Sequence, residues 1–463
     1  MSRRHVSAVL GLVAGALVAV PAPAAHAAAV QVRCSVPDLV AAINAANGSP
    51  GPDTLRLAHR CTYKLTAPDP VNPGNGLPVI TSEITIDGRG ATIKRDERGN
   101  EVPKFRILLV GPVGNLTLTR TTISGGFATD CPAFPDPPGL ACGGGISNLG
   151  KMSVTRSKIT GNTSRSDVFA QGGGIDNPGT GSVSETEVTG NHVVYSGSDI
   201  GSGAAGGAIA NDGPLTVTDS RLTGNTATVT ENTQSFAFGA GIISFAETTV
   251  ESTVISKNRS FARGGFARAT VSNGIPAPGK MTIRGGSITD NTSDAPNGVA
   301  QGAGIANNAL MTVRGVKISG NRAVAENGTA RGGGVRVGPF GTTEVTDSQI
   351  TGNTAEAAGG TAQGGGFDNP DGGSLTAKRN KILHNTVTAK NGTAQGGGLY
   401  HAGGTEGLGR TTLKENTITK NRAGDGGGIF KAPSGVLTLN GDDVRANRPN
   451  NCSPAGTVPG CTD

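Results

Sequence analysis

The chain has 463 residues, of which 75 are Gly, 12 Phe, 3 Tyr and none Trp, with an apolar share of 35% and a formal charge of +6. So few aromatics in so dispersed an apolar fraction exclude a set of thick globular cores. A charged share of only 16%, with Leu, Val and Ile at fixed offsets, excludes a disordered chain.

Residues 1–27 read as an export signal. Arg3 and Arg4 precede the apolar run Val6 to Val20, Pro21 breaks it, and Ala25-His26-Ala27 offers a small-x-small cleavage site. The run is too short for a membrane span, and Ser2-Arg3-Arg4 also hints at twin-arginine export. Removing Arg3 and Arg4 lowers the charge from +6 to +4, too little to imply a nucleic-acid partner. No membrane insertion is expected after cleavage.

Residues 28–110 open the mature chain. "VPDLVAAINAANG" (Val36 to Gly48) has the pattern of an amphipathic helix with Pro37 in its first turn, and the strand signals "DTLRLA" and "LPVITSEITIDGRGATI" follow. Six cysteines fall into neighbouring pairs: Cys34 with Cys61, Cys131 with Cys142, and Cys452 with Cys461. An even count suits disulfides in an oxidising compartment. Fifteen connectivities are formally open, and nearest-neighbour pairing is the expectation. No Cys-x-x-Cys or clustered His supports a metal instead.

Across residues 111–445 the chain repeats. Glycine phrases stand at 143–145, 172–174, 206–207, 239–241, 302–304, 332–334, 364–366, 396–398 and 426–428. Each is followed by an apolar residue, a short loop, and a phrase such as "LTVTDSRLTGN" (Leu215 to Asn225) or "MTVRGVKISGN" (Met311 to Asn321). The closing Asn recurs at 162, 191, 225, 258, 291, 321, 353, 385 and 421, in steps of 29 to 36 residues, a period of solenoids. Within a phrase the alternation is strand-like, with Leu215 and Val217 inward and Thr216 and Thr218 outward. Gly and Asn mark turns that need positive φ. Three short strands and three turns per repeat are predicted, wound into coils about 4.8 Å apart. A residue type recurring at one place in each coil becomes a column, so Asn225, Asn321, Asn353 and Asn385 predict an amide ladder. A second Asn set follows the glycines, at 148, 177, 211, 307 and 369. No "GKS" or "GKT" follows the glycine phrases, so they are not phosphate loops.

The "GGGI-x-N" and "S-x-IT-GN" phrases resemble the repeats of right-handed parallel β-helix proteins of the pectate-lyase-like superfamily, and are similar in style to polymorphic outer-membrane protein repeats. The resemblance covers roughly Cys34 to Asn447. It implies an all-β right-handed parallel β-helix solenoid of about ten coils, with the Val36–Gly48 helix capping one end and residues 446–463 forming a disulfide cap at the other. One repeat departs: around Ala269-Thr270-Val271 the glycines are missing and "SNGIPAPG" intrudes.

Enzymes of that superfamily use an arginine base with calcium-holding acids, or clustered Asp with Gly-His-Gly and Arg-Ile-Lys motifs, and neither set is present. Asp442-Asp443 is the lone adjacent Asp pair, the histidines have no metal-ligand spacing, and there is no Gly-x-Ser-x-Gly elbow. Columns can still bring residues together. Directly after the apolar residue of the glycine phrase, successive coils present Arg336, Asp368, Tyr400 and Phe430, with His401 and Lys431 next in line, a set suited to stacking on sugar rings. A second column is basic: Arg284, Arg314, Lys378 and Lys414, with Lys317 and Lys381 three residues on, interrupted by Thr218 and Thr346. It would attract an acidic polymer, or else keeps a strand face soluble. Threonine rows suggest ice binding, but Arg and Lys interrupt them.

These features predict a secreted monomer, released into the medium, that binds extracellular or cell-surface polysaccharide without a recognisable catalytic motif, metal or cofactor. The alternatives are a polysaccharide lyase or glycoside hydrolase, and a structural or adhesin-type surface protein.

Overall fold

A computed structural model describes residues 29–97, 103–134, 139–231, 234–274, 279–370, 372–403 and 409–462. The export signal expected over residues 1–27 lies outside the described residues, as does part of the "SNGIPAPG" intrusion. The described chain is an all-β parallel solenoid of about 11 turns. Its one helix, α1 (Val36–Gly48), is the predicted one. Ser35 caps it by accepting from the Asp38 N–H, Pro37 sits in the first turn, and Leu39, Ile43 and Ala46 are buried against the first strands.

A central coil carries five strands rather than three. Lys151–Thr155 and Lys158–Thr160 belong to a broad 25-stranded sheet. Thr163–Ser166 and Phe169–Gln171 run out and back in two nine-stranded sheets, and Ile175–Asn177 lies in a twelve-stranded back sheet. The difference has two causes. The repeat phrase that reads as one strand is bent by a left-handed residue, such as Arg156 (φ 49°) or Asp219 (φ 48°), into two. The outward and returning strands, rich in Ala and Thr, carry too weak an apolar alternation to be read from sequence.

These extra strands make a fin with a core of its own. Ala170, Ala204, Ala237, Ala267, Ala300, Ala330 and Ala362 stack down the returning sheet, together with Val193, Tyr195 and Val229 from the outgoing one. The larger Leu, Ile and Val side chains of the broad and back sheets form a separate cluster. Between the two the coil has a waist, where the glycine phrase meets the asparagine turn. Gly172 has φ 60°, and a Cβ on Gly173 would lie 2.7 Å from the His192 carbonyl oxygen and 2.6 Å from that of Gly207. The glycines thus let two backbones touch across the coil.

The asparagine ladder is continuous from Asn162 through Asn191, Asn225, Asn258, Asn291, Asn321, Asn353, Asn385, Asn421 and Asn447 to Asn451, with Nδ2–Oδ1 distances of 2.9–3.1 Å. Asn321 shows the pattern. Its Nδ2 donates to Asn353 Oδ1 and to the Ile288 carbonyl, while its Oδ1 accepts from the backbone N–H and the Nδ2 of Asn291. Every polar atom of the buried amide is satisfied. A third ladder escapes the sequence reading because its residue type changes: Ser157, Thr186, Ser220 and Thr253 early, then Ser348, Asn380 and Asn416. It ends on Asp442, whose Oδ1 accepts from Asn416, so this member of the Asp pair closes a ladder.

All three disulfides follow nearest-neighbour pairing, Cys34–Cys61, Cys131–Cys142 and Cys452–Cys461. The irregular repeat keeps its place: Val271–Asn273 pairs in register with Ile242–Ser244 and Ile305–Asn307.

Asn321→Ala removes four hydrogen bonds from a buried site and leaves the Asn291 backbone N–H and one of its Nδ2 hydrogens without an acceptor. It should cost roughly 3–5 kcal/mol, against within about 0.5 kcal/mol for the outward Thr312→Ala. Denaturant unfolding followed by circular dichroism checks this, and equal midpoints for the two variants would contradict the role given to the ladder.

Candidate functional site

The glycine turn aims the outer faces of the returning fin sheet and the back sheet at each other, forming a groove parallel to the solenoid axis whose walls touch along much of its length. In the back sheet the middle residue of each strand faces this groove: Asp176, Ala210, Ile243, Ser272, Ala306, Arg336, Asp368, Tyr400 and Phe430 in successive coils. From the fin come Gln171, Phe238, Arg268, Gln301, Arg331, Gln363 and Gln395. Contents change along the axis.

At the N-terminal end Gln171 Nε2 donates to Asp176 Oδ1 (2.9 Å) and Asp212 Oδ2 (3.3 Å), and Ser147 Oγ donates to Asp176 Oδ2 (3.2 Å). Asp176 is 0% exposed. Burial, with the Asp212 charge second, pushes its pKa up to about 7, and burial also raises that of Asp212. The Asp176 carboxylate lies within 4.8 Å of the sulfurs of Cys131 and Cys142, but both sulfurs are in a disulfide and offer a metal no thiolate. Beside it a cleft of about 460 Å³ is lined partly by Asn72, Asn75, Arg106, Asp130 and Phe134. Fully buried Arg106 spends its donors on Asn75 Oδ1, Asp130 Oδ1 and the Asp130 and Cys142 carbonyls, which ties the disulfide loop to the coil.

Midway the groove is apolar. Phe169, Phe238 and Phe245 pack on Ala205, Ala210 and Ile243. Phe236 stacks on Phe266 with centroids 5.3 Å apart and tilts towards Phe238 at 5.1 Å. Next comes a polar chain. The Arg268 guanidinium lies 5.3 Å from the Phe238 ring and donates to Gln301 Oε1 (3.2 Å). That oxygen also accepts from Arg336 Nη1 (3.1 Å), and Arg336 pairs with Asp368 (3.3 Å). Burial, with the Arg336 charge second, pushes the Arg268 pKa down to about 10, still cationic at neutral pH. Beyond it Tyr400 and Phe430 stack at 5.5 Å with ring planes 4° apart.

The register of the column predicted from sequence is as expected for Arg336, Asp368, Tyr400 and Phe430, but it is more enclosed than an open sugar platform. Tyr400 is 9% exposed, and Arg336 and Asp368 are buried. The sequence groups His401 and Lys431 with this column, and the structure separates them, because neighbouring residues on a strand face opposite sides. Both belong to the inward column that begins with Asn148, Asn177 and Asn211. His401 replaces an Asn there. Its Nδ1 is 3.1 Å from Thr411 Oγ1, and its Nε2 has no hydrogen-bond partner among the described residues. Burial pushes its pKa down to about 4.

The basic column also has the predicted register. Arg284 pairs with Arg314, then Thr346, Lys378 and Lys414 follow, while Lys317 and Lys381 flank Gln349. It is partly neutralised, Arg284 by Glu251 (3.3 Å), Arg314 by Asp347 (3.5 Å) and Lys414 by Glu415 (3.8 Å). Among the described residues Lys317, Lys378 and Lys381 make no ion pair. Beside it the hydroxyl row Thr216, Thr249, Thr282 and Thr312 breaks at Glu344 and resumes at Thr376 and Thr412.

Sequence reasoning missed Asp176, Asp212, Arg268, Gln301 and the Phe236–Phe266 stack. Asp176 occupies the same place in its repeat as Arg336, so it could have been found by extending that column upstream. The fin residues could not, because the fin strands themselves were not legible. No family model and no curated protein sequence matches the chain.

Two of the buried titrating groups, His401 and Asp176, bias stability in opposite directions. His401 has a pKa of about 4 in the fold against 6.5 ordinarily, so its contribution is complete above pH 6.5 and lost as pH falls towards 4. Asp176 ionises near 7 against 3.8 ordinarily, so stability is lost as pH rises from 3.8 to 7. His401→Asn should therefore flatten the acid limb of a melting-temperature profile. Asp176→Asn should gain about 1–3 kcal/mol at pH 8 and little at pH 4. Parallel profiles for wild type and variants would refute both assignments.

Proposed function

We propose that the protein works outside the cell by binding an extended polysaccharide along this groove. Three disulfides with no free cysteine among the described residues suit an oxidising compartment. No helix among the described residues is long and apolar enough to cross a membrane. The resemblance of the repeat to the pectate-lyase-like superfamily points the same way. The observation that carries the reading is the Tyr400–Phe430 stack, which continues the column of the buried Arg336–Asp368 pair. Flat rings offer apolar faces to sugar C–H groups, and the buried Arg336–Asp368 pair next in the column braces them from within the fold.

A second reading, glycoside hydrolysis, is favoured by the two carboxylates that share the Gln171 amide, one of them with a raised pKa as a general acid requires. Against it, Asp176 has no exposed surface through which to reach a glycosidic oxygen.

Affinity electrophoresis against neutral and acidic polysaccharides should show retention of the wild type by at least one polymer, without new reducing ends. Retention should weaken about tenfold in the Tyr400→Ala, Phe430→Ala double variant. New reducing ends that vanish in Asp212→Asn would move the assignment to the hydrolase. Failure to bind any glycan would end both readings.

A further inference from the structure

The bend within the broad sheet repeats a left-handed residue in coil after coil. Arg60 (φ 52°), Arg89 (φ 51°), Arg120 (φ 53°) and Arg156 (φ 49°) hold it in four consecutive coils, and the column continues through Glu185, Asp219 and Ser252 to Gly285 and Gly315. Gly285, Gly315 and Gly441 fill the same backbone position in three later coils, where positive φ carries no steric cost, while Asp347, Arg379 and Glu415 fill it in the coils between. Arginine has no backbone reason to stand there four times running.

One of these arginines is displayed by a special device. The strand Glu83–Arg95 pairs with Asn115–Ser124, but its register shifts between Asp87 and Ala91, so Gly88-Arg89-Gly90 faces Arg120 alone. Such bulges re-aim a side chain. Here Arg89, Arg120 and Arg56 converge, with Gln31 and Asp87, on a depression of about 470 Å³. Asp87 is committed: Arg120 Nε and Nη2 donate to its Oδ1 at 3.1 and 2.7 Å, and Nη2 donates to its Oδ2 at 2.7 Å. Among the described residues Arg56 and Arg89 make no ion pair. Three guanidiniums and one carboxylate leave the depression with a surplus of two positive charges.

We propose that this depression binds a phosphate monoester group. A phosphate monoester carries about −1.5 to −2 charge at neutral pH, which matches the surplus, whereas the single carboxylate of a uronic acid leaves one guanidinium uncompensated. Its tetrahedral oxygens also accept the paired N–H groups of an arginine fork, which explains arginine throughout and no lysine. The site lies on the broad sheet, not in the groove, and stands whether or not the groove binds glycan.

Isothermal titration at low ionic strength with inorganic phosphate, glucose 6-phosphate and glucuronate tests the proposal. Phosphate and glucose 6-phosphate should each bind saturably at one site, at least tenfold more tightly than glucuronate. Binding of glucose 6-phosphate as tight as that of phosphate shows that the pocket accepts an ester. Arg89→Gly, which also relieves the left-handed backbone, should bind at least tenfold more weakly while melting at the same temperature or higher. Arg56→Gln should lose binding to the same extent, and Arg314→Gln, an exposed arginine elsewhere on the broad sheet, should bind as wild type does. Glucuronate binding as tightly as phosphate, no saturable phosphate binding, or an equal loss in Arg314→Gln and Arg89→Gly would each overturn it.

Discussion

The whole architecture depends on the contact between the asparagine ladder and the glycine phrase at the waist of each coil. A coil of about thirty residues has too little apolar surface to fill a round core, and with 75 glycines and 15 Phe and Tyr this chain has less than most. Pinching the coil replaces one wide core by two narrow ones, a Leu, Ile and Val core under the broad sheet and an alanine core inside the fin. Pinching brings backbone against backbone, so side chains must be absent on one strand and every buried polar group must be paired. Glycine meets the first condition and asparagine the second. Its two donors and its twice-used oxygen join each coil to the coils before and after it.

That contact also creates the groove. Because the glycine turn folds the chain inwards, the outer faces of two sheets come together outside the core, and residues that would elsewhere lie in solvent become buried. Arg336, Asp368 and Asp176 are charged residues in such outward positions, and each has partners from the facing wall or the next coil. Burying a charge is unfavourable unless hydrogen bonds hold it, so these networks are more rigid than surface ion pairs such as Arg284–Glu251.

Much of this was legible in the sequence, and the limits have physical causes. The period, the ladder from Asn162 to Asn421, the Val36–Gly48 helix and the three disulfides could be read because each rests on a residue type that has few alternatives at its position. The fin strands could not, since Ala and Thr suit many conformations and alternate too weakly. The third ladder escaped because Ser, Thr, Asn and Asp oxygens accept the same N–H interchangeably. His401 was placed beside Tyr400 through sequence adjacency, although a one-residue step on a strand crosses to the other face. The Arg60 to Arg156 column keeps the spacing of the repeat, in steps of 29, 31 and 36 residues, but its first three members precede the glycine and asparagine phrases that align the later coils.

A distinction follows between two kinds of column. Where the residue type repeats unchanged, as with Asn at the waist or Ala in the fin, each coil solves the same packing problem and the column is architecture. Where the type changes from coil to coil, stacking has left the position free. The groove column runs from Asp176 through Ile243 to Arg336, Asp368 and Tyr400, and the bend column from Arg60 through Glu185 to Gly285. The first is enclosed and held by hydrogen bonds, so its variety must be matched across the groove, Gln171 to Asp176 and Gln301 to Arg336. The second is open to solvent, and at its N-terminal end Arg120 is matched by Asp87 and Arg156 by Glu185, while Arg60 and Arg89 make no ion pair among the described residues. At the bulge that sets Gly88-Arg89-Gly90 against Arg120, three guanidiniums share one carboxylate, and a bound anion would offset their mutual repulsion.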